Sequence, residues 1–214
     1  MLYSCIMVID VRFENLVGLT DLRAGFPFRG AISDVRGGSV GVVQMKDVDP
    51  DGGVDWAHVI KTDLAGRGTP DWLESEDILF VSRGNRFFAV CLDAPPLPAV
   101  CSPHFFHLRV KSPAQVLPRF LAWQINQPPL QRKLQAAAEG SSQLSIRRPE
   151  LEALTISLPT LEDQERIVRL AHTASRERSL LQALIRNREQ HLQAIAVLLS
   201  QADGTSEQQA QKSP

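Results

Sequence analysis

The chain has 214 residues, 43% of them hydrophobic, with 23 basic against 24 acidic side chains. This is an ordinary soluble composition with enough apolar material for a packed core. Three scattered cysteines (Cys5, Cys91, Cys101) exclude a disulfide framework and point to a reducing compartment, the cytoplasm. Met1 to Asp10 is apolar but lacks a basic start and a long hydrophobic region. That excludes a signal peptide or membrane span and leaves a first strand or ordered arm.

The near-neutral total conceals a segregation. Residues 1–82 carry a net charge of −6, residues 83–148 a net +7 and residues 149–214 a net −2. A basic middle third in a neutral protein is the footprint of a surface that meets phosphates, because neutralising them releases condensed counterions. The bland alternative is a solvated surface whose partners lie on the acidic first third after folding.

In chain order, Val40 to Trp56 alternates β-branched runs with turn residues, and Asp49-Pro-Asp-Gly-Gly53 predicts a hairpin turn. Strands are predicted at Asp77–Ser82 and Phe87–Leu92, joined by an Arg83–Arg86 turn, and again over residues 98–110. Together they describe a twisted, mostly antiparallel, β-rich body. Ser112-Pro113 reads as a cap opening a short helix that carries Phe120, Leu121, Trp123 and Ile125 and ends at Pro128-Pro129. A second short helix runs from Leu130 to Ala138 and stops at Gly140.

Leu154–Leu158 reads as a short strand closed by Pro159. Thr160 then caps a helix from about Leu161, with Glu162, Asp163 and Glu165 at the positive end of its dipole. Ile167, Leu170, Ala174, Leu181, Leu184, Ile195 and Leu198 fall near heptad a and d positions, with no proline or glycine until Gly204. From Leu161 to Gln201 that is a helix about 60 Å long. Its stripe needs another helix, and no segment of comparable length is available here. Residues 202–214 are polar and read as a disordered tail. The expected fold class is α+β: a β-rich domain over residues 1–159 with short helices, a coiled-coil-like helix over 160–201, and the tail.

The sequence carries no enzyme signature. The Asn/Asp-Pro-Pro-Tyr loop of amino-methyltransferases is absent, since Ala94-Pro-Pro-Leu97 lacks the polar acceptor and the stacking aromatic. Arg36-Gly-Gly-Ser-Val-Gly41 has loop-like glycines but no helix pattern after it. Cys101, His104 and His107, with Cys91, offer zinc ligands at plausible spacing, although strand packing explains them as well. Asp47, Asp49, Asp51 and Asp55 lack the register of a calcium loop. No cofactor is expected on this chain.

The basic loops carry more. Ser82, Arg83, Asn85 and Arg86 combine forked guanidinium donors, a glycine that permits close approach and an amide able to read adenine; a plain turn with solvated arginines is the alternative. Ser141, Ser142, Gln143, Arg147 and Arg148 form a second cluster suited to phosphate contacts, with Arg29, Arg36, Lys46 and Arg67 in support.

Taken in order, these pieces resemble a known family, the specificity subunits of type I restriction-modification systems, over about residues 25–200. The resemblance rests on Val43-Gln-Met-Lys-Asp-Val48, on Leu73-Glu-Ser-Glu-Asp-Ile-Leu-Phe-Val-Ser-Arg-Gly84 and on Phe120-Leu-Ala-Trp123. Its most specific part runs from Gly140-Ser-Ser to Leu158-Pro-Thr-Leu-Glu-Asp-Gln-Glu-Arg-Ile-Val168. The resemblance implies a target recognition domain that reads double-stranded DNA, and methyltransferase subunits that bind S-adenosylmethionine and supply the chemistry. Such subunits usually hold two recognition domains joined by two antiparallel helices. One domain and one helix imply a half-subunit that forms a homodimer, itself no enzyme and away from membranes. The rival expectation is an interaction or regulatory protein whose long helix docks a partner complex.

Overall fold

The computed structural model describes residues 11–64, 69–140 and 143–210, with side chains described as far as residue 200. The expected N-terminal strand or arm at Met1–Asp10 lies outside the described residues. The chain divides into two compact units, Met1–Arg169 and Leu170–Pro214. The first unit thus extends past the boundary expected after Pro159, because the opening turns of the long helix pack with it.

In chain order the elements are β1 (Arg12–Asn15), α1 (Leu16–Leu19), β2 (Thr20–Ala24), β3 (Val40–Val43), β4 (Val48–Asp49), β5 (Gly53–Val54) and β6 (Ile60–Thr62). Then come β7 (Ile78–Val81), β8 (Phe88–Cys91), β9 (Ala99–Cys101) and β10 (Phe105–Val110). The remainder are α2 (Pro118–Ile125), α3 (Pro128–Ala137), α4 (Arg148–Glu152), β11 (Thr155–Leu158) and α5 (Leu161–Ala210). This is the expected α+β architecture.

The main sheet runs β2-β10-β7-β8, all antiparallel; a second runs β6-β3-β9, in which β3 and β9 are parallel; β1 pairs with β11. Strand β7 is buried on both faces. Its period-2 geometry sends Ile78 and Phe80 into a core shared with α1, α2, α3, α4 and β11, and Leu79 and Val81 into a second core shared with β3, β8 and β9. Side-chain amides fasten helix to sheet. Asn126 both donates to the Ala89 carbonyl and accepts from its N–H at 2.8 Å, and Gln124 makes the same paired contact with Ser157 at 2.9 and 3.0 Å.

Four expectations need correction. The Asp49–Gly53 turn forms, with Asp49 Oδ1 accepting from the N–H groups of Asp51 and Gly52, but it closes only the two-residue strands β4 and β5. Strand β3 instead pairs with β6 and β9. The helix expected at Pro113 starts at Pro118: Ser112 closes a turn by accepting from Gln115 and Val116, and Leu117 stays extended before the proline. Arg148–Glu152 is a short helix rather than loop. Finally, α5 continues through Gly204 to Ala210 instead of giving way to a tail after Gln201. One glycine costs a helix only about 1 kcal/mol, less than is needed to stop propagation.

The start of α5 is as expected at Leu161. Asp163 N–H donates to Thr160 Oγ1 at 3.2 Å, and the hydroxyl donates to Asp163 Oδ2 at 2.8 Å. Gln164, with no exposed surface, holds that turn down. Its Oε1 accepts from Leu117 N–H at 2.9 Å, and its Nε2 donates to the carbonyls of Gln115 and Pro159 at 3.1 and 3.0 Å.

Candidate nucleic-acid interface

The two basic clusters, about sixty residues apart in sequence, meet on one rim. Gly84 N–H donates to the Leu144 carbonyl at 3.0 Å, Ile146 N–H donates to the Ser82 carbonyl at 2.9 Å, and Arg83 and Ser145 form an isolated β-bridge. Ser145 also exchanges backbone hydrogen bonds with Glu139 at 2.8 and 3.0 Å, so three short segments are laced edge to edge. Gly140 makes this possible. Its φ is +126°, and a Cβ there would collide with the Gln143 carbonyl.

On this rim Arg83, Asn85, Arg86, Gln143 and Arg147 are exposed. The Arg86 guanidinium lies 5.9 Å from the Phe88 ring centroid, which positions it without neutralising it. Arg147 pairs with Glu139, whose carboxylate raises the guanidinium pKa, and Arg148 Nε donates to Glu152 at 2.7 Å. Ser82 is corrected. It is only 4% exposed, and its hydroxyl donates to the His104 carbonyl at 2.9 Å, so it supports the rim from beneath instead of facing a ligand. Arg67 and Ser142 lie outside the described residues, as does Ser141.

The same Ser82–His104 link leads to a neighbouring cleft of about 570 Å³, whose lining includes Phe28, Ile32, Gln44, Lys46, Ser102 and His104. Exposed Arg29 precedes Gly30 on the cleft's edge, and Lys46 is on its wall. The structure therefore brings Arg83, Asn85, Arg86 and Gln143 onto one rim, and Ser82 and His104 link that rim to the cleft whose wall carries Lys46. Arg36 is placed elsewhere, in the turn where Val35 N–H donates to Lys61 and Gly38 N–H donates to Val35.

Charge pairing trims the basic middle third. Of its nine cations, Arg109, Arg119, Arg147 and Arg148 are engaged with carboxylates. Arg83, Arg86, Arg132 and Lys133 are exposed, and no carboxylate pairs with them among the described residues. Arg132 and Lys133, on α3, were not singled out from sequence; position on an exposed helix face shortly before Gly140 was the available signal.

The buried charge is structural. Burial alone would raise the Asp77 carboxyl, but hydrogen bonds from Arg109 and His107 outweigh it and hold the pKa at about 2. Arg109 Nε and Nη2 each donate at 2.8 Å, and His107 Nε2 lies 2.7 Å from Oδ2. This fork ties Asp77, the residue that leads into β7, to β10. Burial pushes the thiols of Cys91 and Cys101 up to about 12. No cluster of three metal-ligating side chains occurs among the described residues.

On α5, Leu170, Ala174, Leu181, Leu184, Ile195 and Leu198 are all exposed, Leu170 by 71% and Leu181 by 54%. Ile167 differs, being packed against the core of the first unit. The stripe is also wider than expected: Leu180, Ile185, Leu192 and Leu199 are exposed beside it. No helix among the described residues is long and apolar enough to cross a membrane.

No family model and no curated protein matches the sequence. Solved structures do match. The S subunit of the type I restriction-modification system from M. genitalium superposes with a TM-score of 0.53 at 15% identity, over 78% of this chain and 40% of that one. The HsdS subunit from Thermoanaerobacter tengcongensis gives 0.58 at 16% identity, over 85% and 41%. The chain shares its fold with part of these type I specificity subunits. A structure described as showing complex assembly and conformational transition of the type I R-M system matches similarly, with a TM-score of 0.57 at 16% identity, over 85% and 42%. The chain thus spans about 40% of the length of the specificity-subunit chains it matches.

Proposed function

We propose that the chain is a non-catalytic, DNA-reading half of a type I specificity subunit. The first unit binds duplex DNA sequence-specifically through the laced rim and the adjoining cleft edge. Two copies pair through α5 in antiparallel fashion, and separate methyltransferase subunits, bearing S-adenosylmethionine, are directed to the bound site in the cytoplasm. One observation carries this reading: backbone hydrogen bonds bring Arg83, Asn85, Arg86 and Gln143 from two distant loops onto one exposed edge. Guanidinium and amide groups are the donors and acceptors that read base edges and grip phosphates. The specificity-subunit fold supports the same assignment. Two-fold pairing then implies a palindromic site of two short half-sites.

The test is selection of bound duplexes from random DNA at two salt concentrations, with solution mass measured in parallel. The expected outcome is an enriched palindrome, a mass of two copies, and an affinity whose logarithm falls by about 0.9 per phosphate contact for each tenfold rise in salt. A chain that binds no DNA at low salt, yet captures a partner complex after nuclease treatment, is instead an interaction protein.

A further inference from the structure

The stripe on α5 is interrupted by charge, and the interruptions are complementary only to themselves in one arrangement. Heptad a positions run Ala174, Leu181, Arg188 and Ile195; d positions run Leu170, Glu177, Leu184 and His191. Glu177 and Arg188 therefore sit in the seam, both on the exposed surface of a continuous helix. In a parallel two-fold pair each residue meets its own copy, so Glu177 would face Glu177 and Arg188 would face Arg188. In an antiparallel pair the axis crosses the seam at right angles, and a positions meet d positions.

We propose that two copies of α5 pair antiparallel in a single register, with the two-fold axis passing between Gln182 and Ala183 and Glu177 of each copy opposite Arg188 of the other. The inference rests on the homodimer reading above and specifies its geometry. In this register Leu181 meets Leu184, Leu170 meets Ile195, and the small Ala174 meets the larger His191. Every polar interruption is thus matched by charge or by size. Sliding one copy by a heptad destroys the match in either direction. One slide sets Glu177 opposite Leu181 and Arg188 opposite Leu170; the other sets Glu177 opposite Ile195 and Arg188 opposite Leu184. Each leaves charges desolvated against aliphatic side chains, the arrangement that polar seam residues exclude in coiled coils.

The experiment is a charge-swap series on the full chain, read as the dissociation constant of the dimer by sedimentation. E177R alone and R188E alone each create two like-charge contacts. Each raises the constant by roughly a hundredfold, tenfold per contact. The double variant E177R/R188E returns close to the original value, and so does an equimolar mixture of the two single variants. Cross-linking fixes the register independently: L170C mixed with I195C joins through a short bis-maleimide, whereas L170C alone does not join to itself. A native chain that is monomeric overturns the homodimer reading itself. A native dimer overturns only the register if its single variants bind as tightly as the original, or if L170C joins to L170C.

Discussion

The two units of this chain spend their apolar residues differently. In the first, strand β7 buries both faces, and most large aliphatic and aromatic side chains are enclosed in cores, with helix and sheet joined by amides that satisfy backbone groups on both sides. In the second, leucine and isoleucine recur along α5 with half or more of their surface exposed. A monomeric protein seldom leaves so long a contiguous apolar face open. The contrast teaches that the first unit encloses its own cores, whereas the second leaves its apolar residues on an open helix.

That contrast can be broken or sharpened by substitution. The largest effect belongs to L181D/L184D, which places four carboxylates at the centre of the proposed pair. Association should weaken by at least about 4 kcal/mol in sedimentation, while the melting temperature of the first unit barely moves. Next comes Gln164→Ala, which strands the Leu117 N–H and the Gln115 and Pro159 carbonyls. A loss of about 3 kcal/mol is expected in denaturant unfolding, and a loss below 0.5 kcal/mol would remove Gln164 from its assigned role.

Asp77 follows, through pH. Its carboxyl titrates at about 2 in the folded chain against an ordinary 3.8. The stabilisation is therefore full above about pH 5 and disappears as pH falls through 4 towards 2. It amounts to roughly 2 kcal/mol. Asp77→Asn should flatten that part of the stability–pH curve.

Gly140→Ala is smaller, at about 1–2 kcal/mol, because the Gln143 carbonyl must move and the left-handed backbone is strained. DNA affinity should fall with it, since the lacing of the rim is loosened. Arg83→Ala has the least effect on folding, below about 0.5 kcal/mol, yet should lower the salt slope of DNA binding by about one contact. Unfolding and binding isotherms on the same preparation separate these two effects.

Where a signal is local, the chain could be read directly. The apolar run at Asp77–Ser82 and the Thr160 cap each depend on neighbours within a few residues, and each forms at the expected place. The candidate site was half legible. Arg83, Asn85, Arg86 and Gln143 were recognisable as exposed polar groups in turns, but Ser82 was not recognisable as buried. Its fate depends on the His104 carbonyl, twenty-two residues away. Arg148 looked like loop because a five-residue helix opened by proline carries too little periodicity to announce itself.

Sequence alone thus determined the strand at Ile78–Val81, the capped entry into α5, and the pattern of charge and apolar residue along its seam, because these arise from side-chain chemistry at fixed helical or pleated spacing. Tertiary structure alone decided the parallel pairing of β3 with β9, the buried amide of Gln164 and the union of two basic loops on one rim. Each of those depends on backbone groups far apart in the chain, whose hydrogen bonds are satisfied only once the cores on either side of β7 have closed.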